Sequence, residues 1–435
     1  MKTILLLGAG RSSVYLIDYF LDNAPKENWT LTIADITLEG AKQKIGNRPN
    51  AKAIQLDATH LESLQTAISE CDIVVSMLPP ALHANAARLC VRFNKHLATA
   101  SYLSNEIKGL GEDAKTKGII LLSECGLDPG IDHLSARQKI DQIRSEGGKL
   151  ISFKSYCGGL VAPANIDNPF GYKFSWNPRN VILAGQATAS YLEKGKQKFI
   201  PYNRIFSEIE TIQTPNGETF DAYANRDSLS YLDIYEIQEV QTMLRGTLRY
   251  PDFCRLWNFF VRAGFTDANC ELDTSTLTYK QLLESYRPKA GLFFPELSLA
   301  ENNEIESLIS SSGLFDDVQI GLQKGSPADI LQELLERRWR LAAKDKDRVV
   351  MQHIFQYEVN NELNKITSTL DILGKNEIHT AMAKTVGLPL AIATKLILQG
   401  KIKQRGAVIP VTSEFYNPIL QELESLGIRF VETIN

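Results

Sequence analysis

Through the first 125 residues, short apolar runs at 3–7, 29–34, 51–56, 72–77, 96–100 and 118–123 alternate with helix-like stretches at 11–23, 37–46, 60–70, 81–94 and 104–117. Strands that short and that apolar are buried on both faces. A parallel sheet covered by helices on each side is the arrangement that buries them. The alternation therefore predicts an α/β fold opening with βαβ units.

Beyond it, the pattern predicts a helix over 129–146, with Pro129 at its first position and Asp128 as its cap, and then a strand over 149–157. Residues 230–340 read as mostly helical. Two strand-like runs follow at 348–358 and 364–373, then a helix at 377–399, a strand at 406–410, a helix at 416–426 and a strand at 427–433. A chain of 435 residues, 44% hydrophobic, can bury the cores of two or three domains. The net charge of −4 leaves no polybasic surface for nucleic acid or for a membrane. Cys71, Cys90, Cys125, Cys157, Cys254 and Cys270 form no paired spacing, so no metal site is expected and a reduced, cytoplasmic setting fits. The N-terminal apolar run ends at Gly8, too early for a secretory segment, and no later run approaches the roughly 20 apolar residues that span a bilayer.

Chemistry enters with "LLLGAGRSS". Gly8 and Gly10 follow a strand and open a helix, with Ser13 where a third small residue belongs. Such a turn lets a pyrophosphate approach free backbone amides and the positive end of a helix. Asp35 ends the next strand, "LTIAD". There a carboxylate accepts from an adenosine ribose diol and repels a 2′-phosphate, which favours NAD over NADP; capping the following helix is its ordinary alternative. In "VVSMLPPALH" two prolines stop a strand, and His83 reads as an exposed or capping histidine. "ATASYLS" and "LLSECGLDPGIDHL" bring Tyr102 and Asp128 over the same sheet edge.

"SYCGGLVAPANIDNPFGYKFSW", at 155–176, is neither a clean strand nor an amphipathic helix. Together with "GLDPGIDHL", "YANRDS", "RGTLRYPDF" and "VVMQH", it resembles the saccharopine dehydrogenase family, and within it the glutamate-forming enzymes. The resemblance runs nearly end to end. It implies a variant Rossmann domain (1–126 and 382–435), an α/β substrate-binding and dimerisation domain (127–250 and 326–381) and a helical insertion (251–325). It implies an NAD(P)H-dependent oxidoreductase, a homodimer, acting on saccharopine, glutamate and aminoadipate semialdehyde. Cofactor contacts would fall on Gly8, Gly10, Arg11, Ser12, Ser13, Asp35, Asp57, Leu78, Ala100, Leu127 and Ser175. Substrate contacts would fall on Ser101, Tyr102, Asp128, Cys157, Gly158, Lys173, Arg226, Thr247, Leu248 and Arg249, the two arginines as carboxylate clamps. Asp128, Cys157 and Tyr102 are the proton-transfer candidates. Members that use NADP tend to carry an arginine after the second strand, where "IADITLEG" has none. A sister reductive-amination enzyme of the carboxyspermidine type and a non-catalytic nucleotide-binding scaffold are the competing readings.

Overall fold

The computed structural model describes every residue of the chain except Ala187, Ala290 and Asn435. It divides into two units, Met1–Gly147 with Ile378–Arg429, and Gly148–Glu377 with Phe430–Asn435.

In the first unit β1 (Lys2–Leu7), β2 (Trp29–Asp35), β3 (Ala51–Gln55), β4 (Ile73–Ser76), β5 (His96–Thr99) and β6 (Ile120–Leu122) alternate with helices. The main ones are α1 (Val14–Glu27), α2 (Leu38–Ile45), α3 (Leu61–Ser69) and α4 (His83–Phe93). The strands lie in the order β6-β5-β4-β1-β2-β3, all parallel, and the strand Gly406–Val408 extends the sheet beyond β6. The chain winds outward from β1 in one direction and from β4 in the other. The crevice at the carboxyl ends of β1 and β4 is therefore the topological switch point, where ligands bind in such sheets.

Several expectations differ from what folds. The helix expected over 129–146 begins at Ile131, and the acid at its start is Asp132, whose Oδ1 accepts from the Gly130 amide at 2.6 Å. Asp128 is therefore not its cap. That helix packs in the first unit, where Asp141 accepts a 2.7 Å hydrogen bond from Tyr416, so the division falls after Gly147 rather than after 126. The last strand, Val431–Ile434, leaves the first unit and pairs antiparallel with Glu362–Leu373 in the second.

The helix Ala381–Leu398 has a mean hydropathy of 1.5, long and apolar enough by length and composition to cross a membrane. This corrects the expectation that no run approaches that size. Here 78% of it is buried, packed against α1 within the first unit.

The second unit is built on β7 (Lys149–Val161), which runs four residues past its expected end. It pairs antiparallel with Asp347–Val359. Its other neighbour, parallel to it, is the strand Thr242–Arg249, which lies inside the stretch expected to be helical. Buried residues along Thr242–Arg249, and neighbouring strands that complete its hydrogen bonds, override the helical pattern. The aromatics of "NPFGYKFSW" and "FCRLWNFF" form the core of this unit. Phe170 stacks on Phe260 at 5.8 Å and lies 4.7 Å from Trp339, and Phe253 stacks on Trp257 at 5.1 Å.

Candidate active site

At the switch point, Gly8 has φ +91° and its amide donates to Ala34 O at 2.8 Å. A side chain there would put a Cβ 2.9 Å from Met77 O, so only glycine lets the ends of β1 and β4 meet. Gly10 faces open space and is exposed. Arg11–Ser13 form a single turn leading into α1, closed by Ser13 Oγ donating to Gly10 O at 2.8 Å. Arg11 is exposed, Ser12 half-buried and Ser13 buried.

Asp35 is already occupied by protein donors. Its Oδ2 accepts from Ala9 N at 2.7 Å, and its Oδ1 from Thr37 N at 2.9 Å and Thr37 Oγ1 at 3.0 Å. Burial works against its ionisation, but the Thr37 and Ala9 hydrogen bonds outweigh burial and hold the carboxyl below its ordinary value. Over the same turn lies Lys44 of α2, which sequence reading missed. Its Nζ donates to Ala9 O at 2.5 Å, to Ser13 Oγ at 2.8 Å and to Gly10 O. Burial pulls this lysine down to about 8, with Asp35 opposing the fall. No local motif could have found it, because it reaches the turn from the last turn of a different helix.

Asp57, past β3, accepts from Thr59 N and Oγ1 at 2.8 and 2.7 Å and so shapes its own turn. Leu78 and Ala100, past β4 and β5, are half-buried, and Leu127 is buried. Tyr102 and Asp128 are half-buried in the segments following β5 and β6. The loop bearing Ser101 and Tyr102 is braced by Glu124. Glu124 N donates to Ser101 O at 2.9 Å and Glu124 Oε1 accepts from Leu103 N at 3.0 Å, while Oε2 lies 2.9 Å from His133 Nε2. His83 is not exposed: it caps the turn Pro80–Leu82 through its backbone amide, and its ring is buried, with Nδ1 2.8 Å from Ser76 Oγ and Nε2 2.8 Å from Ser101 Oγ.

In the second unit, Cys157 of β7 pairs in register with Thr247, and both flank Gly158 and Leu248. A Cβ on Gly158 would lie 2.8 Å from Leu248 O, so the strands approach only because that position is bare. Cys157 is buried. Arg249, at the strand's end, is 4% exposed. Its guanidinium lies 5.1 Å from the Phe253 ring centroid, 5.3 Å from Tyr172 and 5.8 Å from Tyr223. Nη1 donates to Leu248 O at 2.9 Å, Nη2 reaches Tyr223 Oη at 3.4 Å, and Nε has no partner among the described residues. Asp221 faces it across the sheet register, but burial pushes that carboxyl up, and no carboxylate among the described residues comes within ion-pair distance of Arg249. Arg348, also buried, shows the contrast: Glu218 and Asp371 hold it at 2.7 and 2.6 Å. A buried, uncompensated guanidinium is costly, and a bound anion would relieve it.

Lys173 is buried and held by Asp345 at 2.8 Å and Asp167 at 2.6 Å. Ser175 is buried, its hydroxyl without a partner among the described residues. Arg226 is exposed with φ +48°, its carbonyl accepting from Ser190 N at 2.8 Å. Asp227 beside it is engaged by Ser190 Oγ, Leu229 N and Ser230 N. The predicted residues thus divide between the units: Gly8 to Asp128 lie in the first, with the glycine turn and Asp35 at the switch point, and Cys157 to Arg249 in the second, where Cys157, Gly158, Thr247, Leu248 and Arg249 share two paired strands.

The sequence matches the saccharopine dehydrogenase NADP binding domain over residues 4–122 and the saccharopine dehydrogenase C-terminal domain over residues 126–428. The chain belongs to the saccharopine dehydrogenase family. It is 36% identical to the saccharopine dehydrogenase (NADP(+), L-glutamate-forming) of Saccharomyces cerevisiae, covering 99% of each chain, and 34% identical to the enzyme of that name in Schizosaccharomyces pombe, covering 100% and 99%. A solved apo structure of the L-Glu-forming saccharopine dehydrogenase from S. cerevisiae superposes with a TM-score of 0.89 at 34% identity, covering all of both chains. The homospermidine synthase of Legionella pneumophila shares the fold at 10% identity, with a TM-score of 0.59, covering 100% of this chain and 91% of that one. The α/β architecture and the nicotinamide-dinucleotide domain of the saccharopine dehydrogenase family are therefore established. The preference for NAD expected from Asp35 finds no support: the matched domain is described as NADP binding.

Proposed function

We propose that this saccharopine dehydrogenase is the L-glutamate-forming enzyme, an oxidoreductase on the C–N bond of saccharopine that uses NADP(H). In the oxidative direction, saccharopine, water and oxidised cofactor yield glutamate, 2-aminoadipate 6-semialdehyde, reduced cofactor and a proton. The observation that supports the reading is Arg249, a buried guanidinium with no counter-ion among the described residues. Saccharopine brings three carboxylates, and one of them would satisfy this group.

The cofactor, when bound, accepts or returns a hydride at its nicotinamide ring. The protein's own residues do the rest. Gly10, Arg11 and Ser12 would offer backbone amides and the start of α1 to the phosphates, the amides of Gly8, Ala9 and Ser13 being engaged by Ala34 O, Asp35 and Gly10 O. Lys44 supplies a cation over the same turn, which favours a phosphorylated adenosine ribose, and the Asp35 oxygens are largely spent on Ala9 and Thr37. Removing hydride from the carbon beside the secondary amine leaves an imine. Water adds to that carbon, and collapse of the carbinolamine breaks its bond to nitrogen, releasing glutamate and the aldehyde. The candidates for the proton steps are Tyr102 and Asp128 in the first unit and Cys157 in the second, none of them expected to be indispensable because the substrate amine is itself a competent base. We also infer a homodimer, supported by the apolar side chains Leu373, Val431 and Ile434 left exposed on the second sheet.

The test is to supply aminoadipate semialdehyde with either glutamate or a polyamine donor, with NADPH and NADH in parallel. Consumption of NADPH with glutamate is expected. Turnover only with the polyamine would assign the protein to the carboxyspermidine-type enzymes instead, and no turnover would leave a scaffold.

A further inference from the structure

Ser76 ends β4 and Ser101 follows β5, and one imidazole joins them. His83 Nδ1 lies 2.8 Å from Ser76 Oγ, and Nε2 lies 2.8 Å from Ser101 Oγ. Ser76 is fully buried and His83 is 3% exposed, while Ser101 is half-buried. Burial pushes the imidazole down to about 4, so it is neutral at neutral pH.

A neutral imidazole donates through one nitrogen and accepts through the other, so the row of three side chains has a direction. Ser76 Oγ has no other hydrogen-bond partner among the described residues. Were the proton on Nδ1, the Ser76 hydroxyl would accept it and its own hydrogen would be left buried and unmet, a cost of about 1–3 kcal/mol. The satisfied arrangement has Ser76 O–H donating to Nδ1 and Nε2–H donating to Ser101 Oγ. The Ser101 hydroxyl hydrogen is then turned away from the imidazole. The backbone around it is fixed: Ser101 O accepts from Glu124 N at 2.9 Å and Ser101 N donates to Thr99 Oγ1 at 3.2 Å. What remains free is the hydroxyl, and His83 sets it.

We propose that His83 is a positioning residue that holds Ser101 as a hydrogen-bond donor to an oxygen acceptor of the bound ligand. That acceptor is a carboxylate of the amino-acid substrate or the carboxamide oxygen of the nicotinamide. The naming of those two ligands rests on the proposed function, whereas the direction of the hydrogen-bonded row does not.

Selective 15N-histidine labelling of the unsubstituted protein and long-range proton–nitrogen correlation read the tautomer directly, with Ser101→Ala assigning His83 through the signals it shifts. The Nε2–H tautomer is expected; an Nδ1–H tautomer or an imidazolium at neutral pH overturns the proposal. In parallel, Ser101→Ala and His83→Leu should each weaken one ligand about tenfold, the loss of one neutral hydrogen bond of about 1.4 kcal/mol. His83→Gln, whose amide can donate near the Nε2 position, should restore most of it. A change confined to the NADPH dissociation constant, read by fluorescence titration, assigns the acceptor to the carboxamide. A change confined to the saccharopine KM assigns it to a carboxylate. Unchanged affinity for both ligands in Ser101→Ala overturns the proposal. If the unsubstituted protein bound NADPH but never turned over saccharopine, the proposed function would fail while the tautomer result stood.

Discussion

Arg249 Nη2 lies 3.4 Å from the Tyr223 hydroxyl, in a wall of aromatic rings with no carboxylate in reach among the described residues. The charge is kept without a counter-ion among the described residues. Burial works against it, and the Tyr223 and Tyr172 side chains offset that effect.

Arg249→Met removes the anion's partner and should lower kcat/KM for saccharopine by roughly ten- to a hundredfold, about 1.5–3 kcal/mol for a charge-assisted contact, mostly through KM. Because it also removes an uncompensated buried charge, the same variant should melt no lower than the parent. Steady-state kinetics and a thermal melt check both. A lower melting temperature with an unchanged KM would make Arg249 structural.

Gly158→Ala puts a methyl group 2.8 Å from Leu248 O and 2.9 Å from Leu248 Cβ. Both are parts of an ordered strand, so β7 and Thr242–Arg249 must separate. Overpacking of this kind costs about 1–3 kcal/mol. Denaturant titration should show the loss, and the saccharopine KM should rise with it because Cys157 and Arg249 ride on the displaced strands.

Lys44→Met should weaken NADPH binding more than NADH binding. With the lysine at about 8, the ammonium is present below that pH and is lost above it. The NADPH dissociation constant of the parent should therefore rise between pH 7 and pH 9, and that dependence should flatten in Lys44→Met. Equal losses for both cofactors would place Lys44 at the shared diphosphate instead of the 2′-phosphate.

Asp345 carries a stability signature in acid. Burial opposes its charge, but the Lys173 hydrogen bond outweighs burial and holds its carboxyl below the ordinary value. A depressed carboxylate stabilises the fold above its unfolded value and loses that contribution as pH falls through the folded one. Asp345→Asn should remove part of the decline in melting temperature on acidification. The cost at neutral pH should stay below the ~3 kcal/mol typical of a broken buried pair, because Asp167 continues to hold Lys173.

Much of the first unit was legible in order along the chain. The strands at 3–7, 29–34 and 51–56 appear as β1, β2 and β3, and the glycine turn sits where "LLLGAGRSS" places it. These features depend on neighbours in sequence: period, turn residues and strand length. The error at Thr242–Arg249 has the opposite origin. It lies in a stretch that reads as helical, and it becomes a strand by pairing with β7 on one side and with Thr219–Ala224 and Ala189–Glu193 on the other.

What the amino-acid order determined by itself was the βαβ beginning, the phosphate turn and the family motifs, because each rests on contacts within a few residues. Tertiary structure decided which side chains are left for chemistry. Lys44 reaches the glycine turn from another helix, His83 becomes a buried bridge between two strand ends, and Arg249 meets no carboxylate among the described residues while Arg348 finds two. Burial and pairing across distant segments set the cost of each charge and hydroxyl, and those distances exist only once the sheets have formed.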